Sequence, residues 1–202
     1  TVDFADASRE IKEEEIAQAE ANGVEPVEHE VAIDGIAVIV NPDNPVTGLT
    51  LDQLGQIYRG EITNWSEVDG PDEAIVLLSR DTSTGTYEYC TEAVVAPDDE
   101  TAEHAPEARL LPPNHAQVDE RTNNAAAIGY VGLGYLTDDV KVLEIDGVAA
   151  SIETAKDGTY PISRYLYMYS DGEPDEPGAA YLEWILGPDG QAIVEEQGFV
   201  PL

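Results

Sequence analysis

Residues 30–40, EVAIDGIAVIV, constrain the fold more than any other stretch of this chain. The run is dense in β-branched side chains and too short for a core helix, so it reads as a strand buried on both faces. Such a strand needs a layer above it and a layer below it. AIVLLS at residues 74–79 has the same character. Helix signals alternate with these strands. In LTLDQLGQIYRG, Thr50 and Gln53 stand at capping-box spacing and Gly60 sits where a helix would end. Another helix is expected from about Lys12 to Asn22, closed by Gly23, and two short ones between Gly178 and Gly198, separated by Gly187-Pro188. Thr1 to Phe4 reads as the end of a strand, NNAAAIGYVGLGYL as strand and turn, and TYPISRYLYMY as an aromatic-rich strand. Residues 97–113 read as irregular chain, and the acidic stretch 171–178 as a solvated turn. The alternation argues for α/β layers with mostly parallel pairing.

Charge narrows the function. The 202 residues carry 42 acids and 9 bases, a formal charge of −33. Contact with a nucleic-acid backbone needs a basic face that nine bases cannot furnish, and an anionic membrane surface repels such a chain. With 42% apolar residues there is material for a core, which argues against general disorder. The acids are spread along the chain, and lysine occurs only at Lys12, Lys141 and Lys156. Self-repulsion at this charge destabilises the compact state at low salt. At about 1 M salt the Debye length falls to about 3 Å and screens it. The composition therefore reads as adaptation to molar salt, with an acidic surface for cationic partners as the rival explanation. No run approaches the roughly 20 apolar residues of a membrane span. The single cysteine, Cys90, reads as a small buried side chain on a helix.

The segment with most chemistry is Arg80–Thr86, RDTSTGT, between a buried strand and a helix. A strand–loop–helix turn aims free backbone N–H groups outward, where the helix dipole favours an anion. Thr82, Ser83, Thr84 and Thr86 add hydroxyls, and Arg80 offers a planar fork for an oxyanion. The competing explanation is an N-cap by Thr84 with Arg80 in a surface ion pair. The lysine and glycine spacing of a nucleotide P-loop is absent. In DFADASRE, Ser8 and Arg9 occupy a similar position, but on the residues alone a helix cap and a solvated arginine account for them better. His29, His104 and His115 share no ligand spacing, and Asp98-Asp99-Glu100 reads as a solvated face. No Gly-x-Ser-x-Gly nucleophile elbow is present. Asn64-Trp65-Ser66 fits a glycosylation sequon, with Trp65 expected to anchor the loop.

Six segments, in order and spanning nearly the whole chain, resemble the phosphate-binding solute receptors of ABC transporters, the PstS type. They are TVDFADASREIKEEEI, LTLDQLGQIYRGEITNWSEV, RDTSTGT, AAAIGYVGLGYL, TYPISRYLYMY and WILGPDGQAIVEEQGFVPL. The resemblance implies an α/β, two-lobed periplasmic-binding-protein fold of type II, each lobe a mixed sheet flanked by helices. It places residues 1–40 and 161–202 in lobe I and 41–160 in lobe II, with crossovers near Val40–Asn41 and Tyr160–Ser163. It implies phosphate binding in an interlobe cleft by Ser8, Arg80, Thr84, Gly85 and Thr86, with Arg9, Asp81 and Ser83 as further candidates. Thr84 stands where the family has a serine, which keeps the hydroxyl. Ser8 stands where some members have an aspartate that accepts the proton of hydrogen phosphate, and Asp81 is the alternative acceptor. The family's stretch before TVDFADAS has no counterpart here, so the chain is expected to be a fragment with weak phosphate affinity on its own. No catalytic residue, cofactor or metal is implied. The expected partners are phosphate and the permease subunits, with the membrane reached only through the permease or a lost N-terminal anchor. The expected home is extracytoplasmic, on the surface of a halophilic archaeon or secreted from it. A receptor for another tetrahedral oxyanion such as sulfate, and a phosphoesterase, are the alternatives.

Overall fold

A computed structural model describes residues 2–97, 101–111 and 124–202. In chain order the elements used below are β1 (Ala5–Ala7), α1 (Glu13–Ala21), β2 (Pro26–Val40), β3 (Gly48–Leu49), α2 (Leu51–Arg59), β4 (Val76–Arg80) and α3 (Gly85–Cys90). They continue with β5 (Arg109–Leu111), β6 (Ala127–Gly132), β7 (Lys141–Val142), β8 (Glu144–Ile145), α4 (Ile152–Lys156), β9 (Ser163–Asp171), α5 (Glu176–Leu186) and α6 (Pro188–Glu196). The chain forms two compact units, the first running up to Asp34 and resuming at Ser163–Leu202, the second being Gly35–Ile162. The first division falls inside β2, six residues before the strand end at Val40 where the family resemblance puts the crossover.

The second unit holds the core. From Ala32 to Val40 every residue of the β2 run is buried, as its β-branched content requires. There β2 pairs antiparallel with β6 (Val38 opposite Tyr130) and with β7 (Ile39 opposite Val142). β4 lies parallel to β6 on one side and to β5 on the other. Pairing thus runs in both senses, not mostly parallel as expected: strand–helix alternation fixes connection lengths but carries no sign of insertion direction. Over this sheet α2 buries Leu54, Ile57 and Tyr58. Thr50 and Gln53 complete its capping box, and Gly60 ends it at φ 77°, the left-handed conformation that glycine adopts without strain. Trp65 is fully buried and donates from Nε1 to the Ala126 carbonyl at 2.9 Å, so it anchors its loop.

In the first unit β1 pairs antiparallel with β9, and β9 neighbours β2. Among the described residues the N-terminal strand is Ala5–Ala7, paired opposite Tyr167–Tyr169, and lies just beyond the stretch expected to hold it. α1 runs close to its expected bounds yet buries no residue. α5 and α6 meet at Gly187, as the Gly-Pro break implies. The acidic stretch is not only a turn: Asp175 Oδ1 accepts the Gly178 N–H at 3.1 Å and caps α5, whose first turn contains Glu176.

Candidate functional site

The segment between β4 and α3 is built from its own side chains. Asp81 Oδ1 accepts from the Ser83 N–H at 3.0 Å and from the Ser83 hydroxyl at 2.6 Å. These bonds hold the Asp81 carboxyl below its ordinary pKa, so it stays ionised. Thr84 Oγ1 donates to the Asp81 carbonyl at 2.8 Å and accepts the Tyr87 N–H at 3.2 Å, which makes Thr84 the N-cap of α3. The hydroxyls of Ser83 and Thr84 are therefore committed within the loop. The N–H groups of Gly85 and Thr86 are the first donors of the helix, and no intrahelical carbonyl reaches donors at that position. A Cβ added at Gly85 would meet nothing within 4 Å, so open space lies over this first turn.

Arg80, the last residue of β4, is only 6% exposed, and its Nε and Nη1 have no hydrogen-bond partner among the described residues. Burial lowers its pKa, but a guanidinium keeps its charge in any folded protein. A buried cation with unpartnered donors is costly unless something negative meets it. Thr84 does cap the helix, as the plainer explanation required, but Arg80 is not the surface arginine of that explanation. The structure thus gathers Arg80, Asp81, Ser83, Thr84, Gly85 and Thr86 on one strand–loop–helix turn of the second unit.

Ser8 and Arg9 belong to the first unit. Ser8 is exposed at the end of β1, where it lines a cavity of about 530 Å³ with Ala7, Val31, Met168 and Tyr181. Arg9 is clamped by Glu15 through Nη1–Oε2 at 2.9 Å and Nη2–Oε1 at 2.8 Å. Glu15 also accepts the Lys12 N–H at 2.9 Å, and these contacts bring its carboxyl down to about 2. In this arrangement Arg9 braces the start of α1.

The histidines are placed separately. His29 Nε2 meets Ser170 Oγ at 2.8 Å, and His104 stacks on Tyr87 at 4.5 Å between ring centroids. His115 and Asp98-Asp99-Glu100 lie outside the described residues. Cys90 is buried with its thiol pushed up to about 12. Asn64 Oδ1 accepts from the Ser66 N–H at 2.9 Å while its Nδ2 donates to Asp72 at 3.1 Å, so the sequon asparagine caps the short helix at Trp65. Sequence reasoning passed over Tyr130, whose hydroxyl meets Ser79 and Arg80. A tyrosine in a glycine-flanked strand was its only signal.

Residues 1–189 match the family described as PBP superfamily domain. The chain is 30% identical over 205 residues to the phosphate-binding protein PstS of Borreliella burgdorferi, covering 98% of this chain and 71% of that one. It belongs to the PstS family of the PBP superfamily. Within that family it is also 33% identical over 182 residues to PstS of Bacillus subtilis, covering 87% of this chain. It spans only 58% of that relative's length. Among solved structures, a phosphate ABC transporter substrate-binding protein from Clostridium perfringens, described as putative and with bound phosphate, superposes with a TM-score of 0.73 at 33% identity. That match covers 99% of this chain and 79% of the other. PstS membership carries the two-lobed α/β fold of the superfamily.

Proposed function

We propose that this PstS-family chain captures inorganic phosphate outside the cytoplasm and delivers it to the permease subunits of an ABC transporter, with the two compact units as its lobes. One observation carries the reading: the buried Arg80 guanidinium has unpartnered donors at the entry to a helix-capping loop. Arg80, Gly85 and Thr86 are the loop ligands in this reading, whereas the Thr84 hydroxyl and N–H, expected as ligands, both go to the Asp81 carbonyl; Ser8 is kept as a further candidate. Asp81, ionised and with only Oδ1 engaged by Ser83, is the group we assign to accept the proton of hydrogen phosphate. Sulfate carries no such proton at neutral pH, so this acceptor favours phosphate. The named relatives are binding proteins, and the reading is a receptor rather than a phosphoesterase.

Calorimetric titration tests it. Phosphate is expected to bind one-to-one and to resist displacement by excess sulfate. Equal affinity for both anions across pH would remove the assigned role of Asp81, and no phosphate binding would overturn the reading. We also read the charge of −33 as adaptation to the molar salt of a halophilic archaeon. Among the described residues the only buried acid is Asp34, so the rest of the described acids repel one another at or near the surface. The melting temperature is expected to fall as salt is lowered from molar to millimolar; an unchanged value would contradict this part.

A further inference from the structure

Tyr130 lies on β6, outside the loop that holds the anion-site candidates, and is 1% exposed. Its phenol oxygen stands 3.0 Å from Ser79 Oγ and accepts the Arg80 backbone N–H at 3.4 Å. Ser79 and Arg80 are the last two residues of β4, where the loop begins. Cys90, the last residue of α3, is buried in the same apolar cluster as Tyr130. One oxygen is therefore tied to both of the last residues of the strand that enters the loop.

The ring has little freedom to move. Tyr58 packs edge-on against it at 5.5 Å between centroids, and β6 is held between β2 and β4 by backbone pairing. The Arg80 contact is long and weak by itself. The geometry matters more: two consecutive residues of β4 share one buried oxygen from β6, so removing it leaves their polar groups without a replacement from water.

We infer that Tyr130 is a positioning residue, whose hydroxyl fixes the end of β4 where the loop begins and so presents the Arg80 guanidinium in a set place beside the Gly85 and Thr86 N–H groups. This rests on the reading of the loop as a phosphate site. Tyr130 acts through Arg80 and the loop. An anion then meets donors that need no reorganisation, which strengthens binding without adding a contact.

The test is titration of the natural protein with inorganic phosphate, beside thermal melts of the same samples. Tyr130→Phe keeps the ring and removes the oxygen, and it is expected to weaken binding about three- to tenfold. Ser79→Ala is expected to weaken it in the same direction, and it serves as the readout if Tyr130→Phe does not fold. Thr50→Ala, which uncaps α2, is expected to lower the melting temperature and leave affinity at the wild-type value. In an Arg80→Lys background, Tyr130→Phe is expected to add less than about twofold, because coupled groups are not additive. Wild-type affinity in Tyr130→Phe alongside weakened binding in Arg80→Lys would overturn the positioning role and leave the phosphate reading standing. Full additivity of the two substitutions would also overturn it. A wild-type protein that takes up no phosphate would overturn the phosphate reading and this inference together.

Discussion

Helices in the two units carry comparable apolar residues and use them differently. In the second unit α2 turns Leu54, Ile57 and Tyr58 into a continuous cluster with Ile36, Val38, Trp65 and Ile128, all buried. In the first unit α5 and α6 leave Tyr181, Trp184, Leu186 and Ile193 between 45% and 49% exposed, and α1 buries nothing. The second unit is held by packing. The first relies more on strand pairing, caps and charged clamps such as Arg9–Glu15. The loop of Arg80 is seated in the packed unit, where a buried cation can be held at a fixed place.

The largest expected contrast is between two tryptophans. Trp65→Ala removes a fully buried ring, and it is expected to cost about 3–5 kcal/mol in denaturant titrations. Trp184→Ala, in the half-exposed stack with Tyr181, is expected to cost under about 1 kcal/mol. Equal losses would erase the distinction between the units.

Acid separates them by sign. In the second unit His104 donates from Nε2 to Thr91 Oγ1, whose own proton goes to the Tyr87 carbonyl, and its buried Nδ1 has no partner among the described residues. Burial lowers its pKa from the ordinary 6.5 to about 4. Below 6.5 the unfolded chain takes a proton that the folded one refuses, so stability present above that pH is lost as pH falls through 4. Relative to His104→Phe, the wild type is expected to lose up to about 3 kcal/mol across that window. In the first unit burial raises Asp34 from 3.8 to about 6, against the opposing pull of Arg164 at 3.8 Å. Its contribution is fully present below 3.8 and lost as pH rises through 6. Relative to Asp34→Asn, the wild type is therefore expected to gain up to about 3 kcal/mol as pH falls from 6 to 4. Melts of both variants across pH 4–7 check the two slopes, and slopes of the same sign would refute the assignment.

The smallest contrast is at helix starts. Thr50→Ala is expected to cost about 1 kcal/mol, because its side chain accepts the Gln53 N–H. Lys12→Ala at the start of α1 is expected to change stability by less than about 0.5 kcal/mol, since the surface position makes no side-chain cap bond.

Features decided within a few residues were legible in the sequence. The Thr50–Gln53 box, the Gly60 stop and the burial of the β2 run depend on neighbours along the chain, and so does the capping of α3 by Thr84. Features decided by distant partners were not. β2 begins at Pro26 rather than near residue 30, and β1 sits at Ala5–Ala7, because in each case the partner strand β9 comes more than a hundred residues later. Arg9 meets Glu15 across six residues, outside helical spacing, so its clamp left no periodic trace. The loop from Arg80 to Thr86 could be picked out as a strand–turn–helix. Whether Arg80 lies on the surface or in the interior depends on β5 and β6 beside β4 and could not be read from the loop.

The central claim is that this buried arginine meets phosphate. Calorimetric titration of Arg80→Ala against wild type, in the natural protein at molar salt, tests it most directly. The claim predicts a loss of at least about a hundredfold in phosphate affinity, the scale expected when a charged, desolvated partner is removed. Binding as tight as wild type in Arg80→Ala would contradict it.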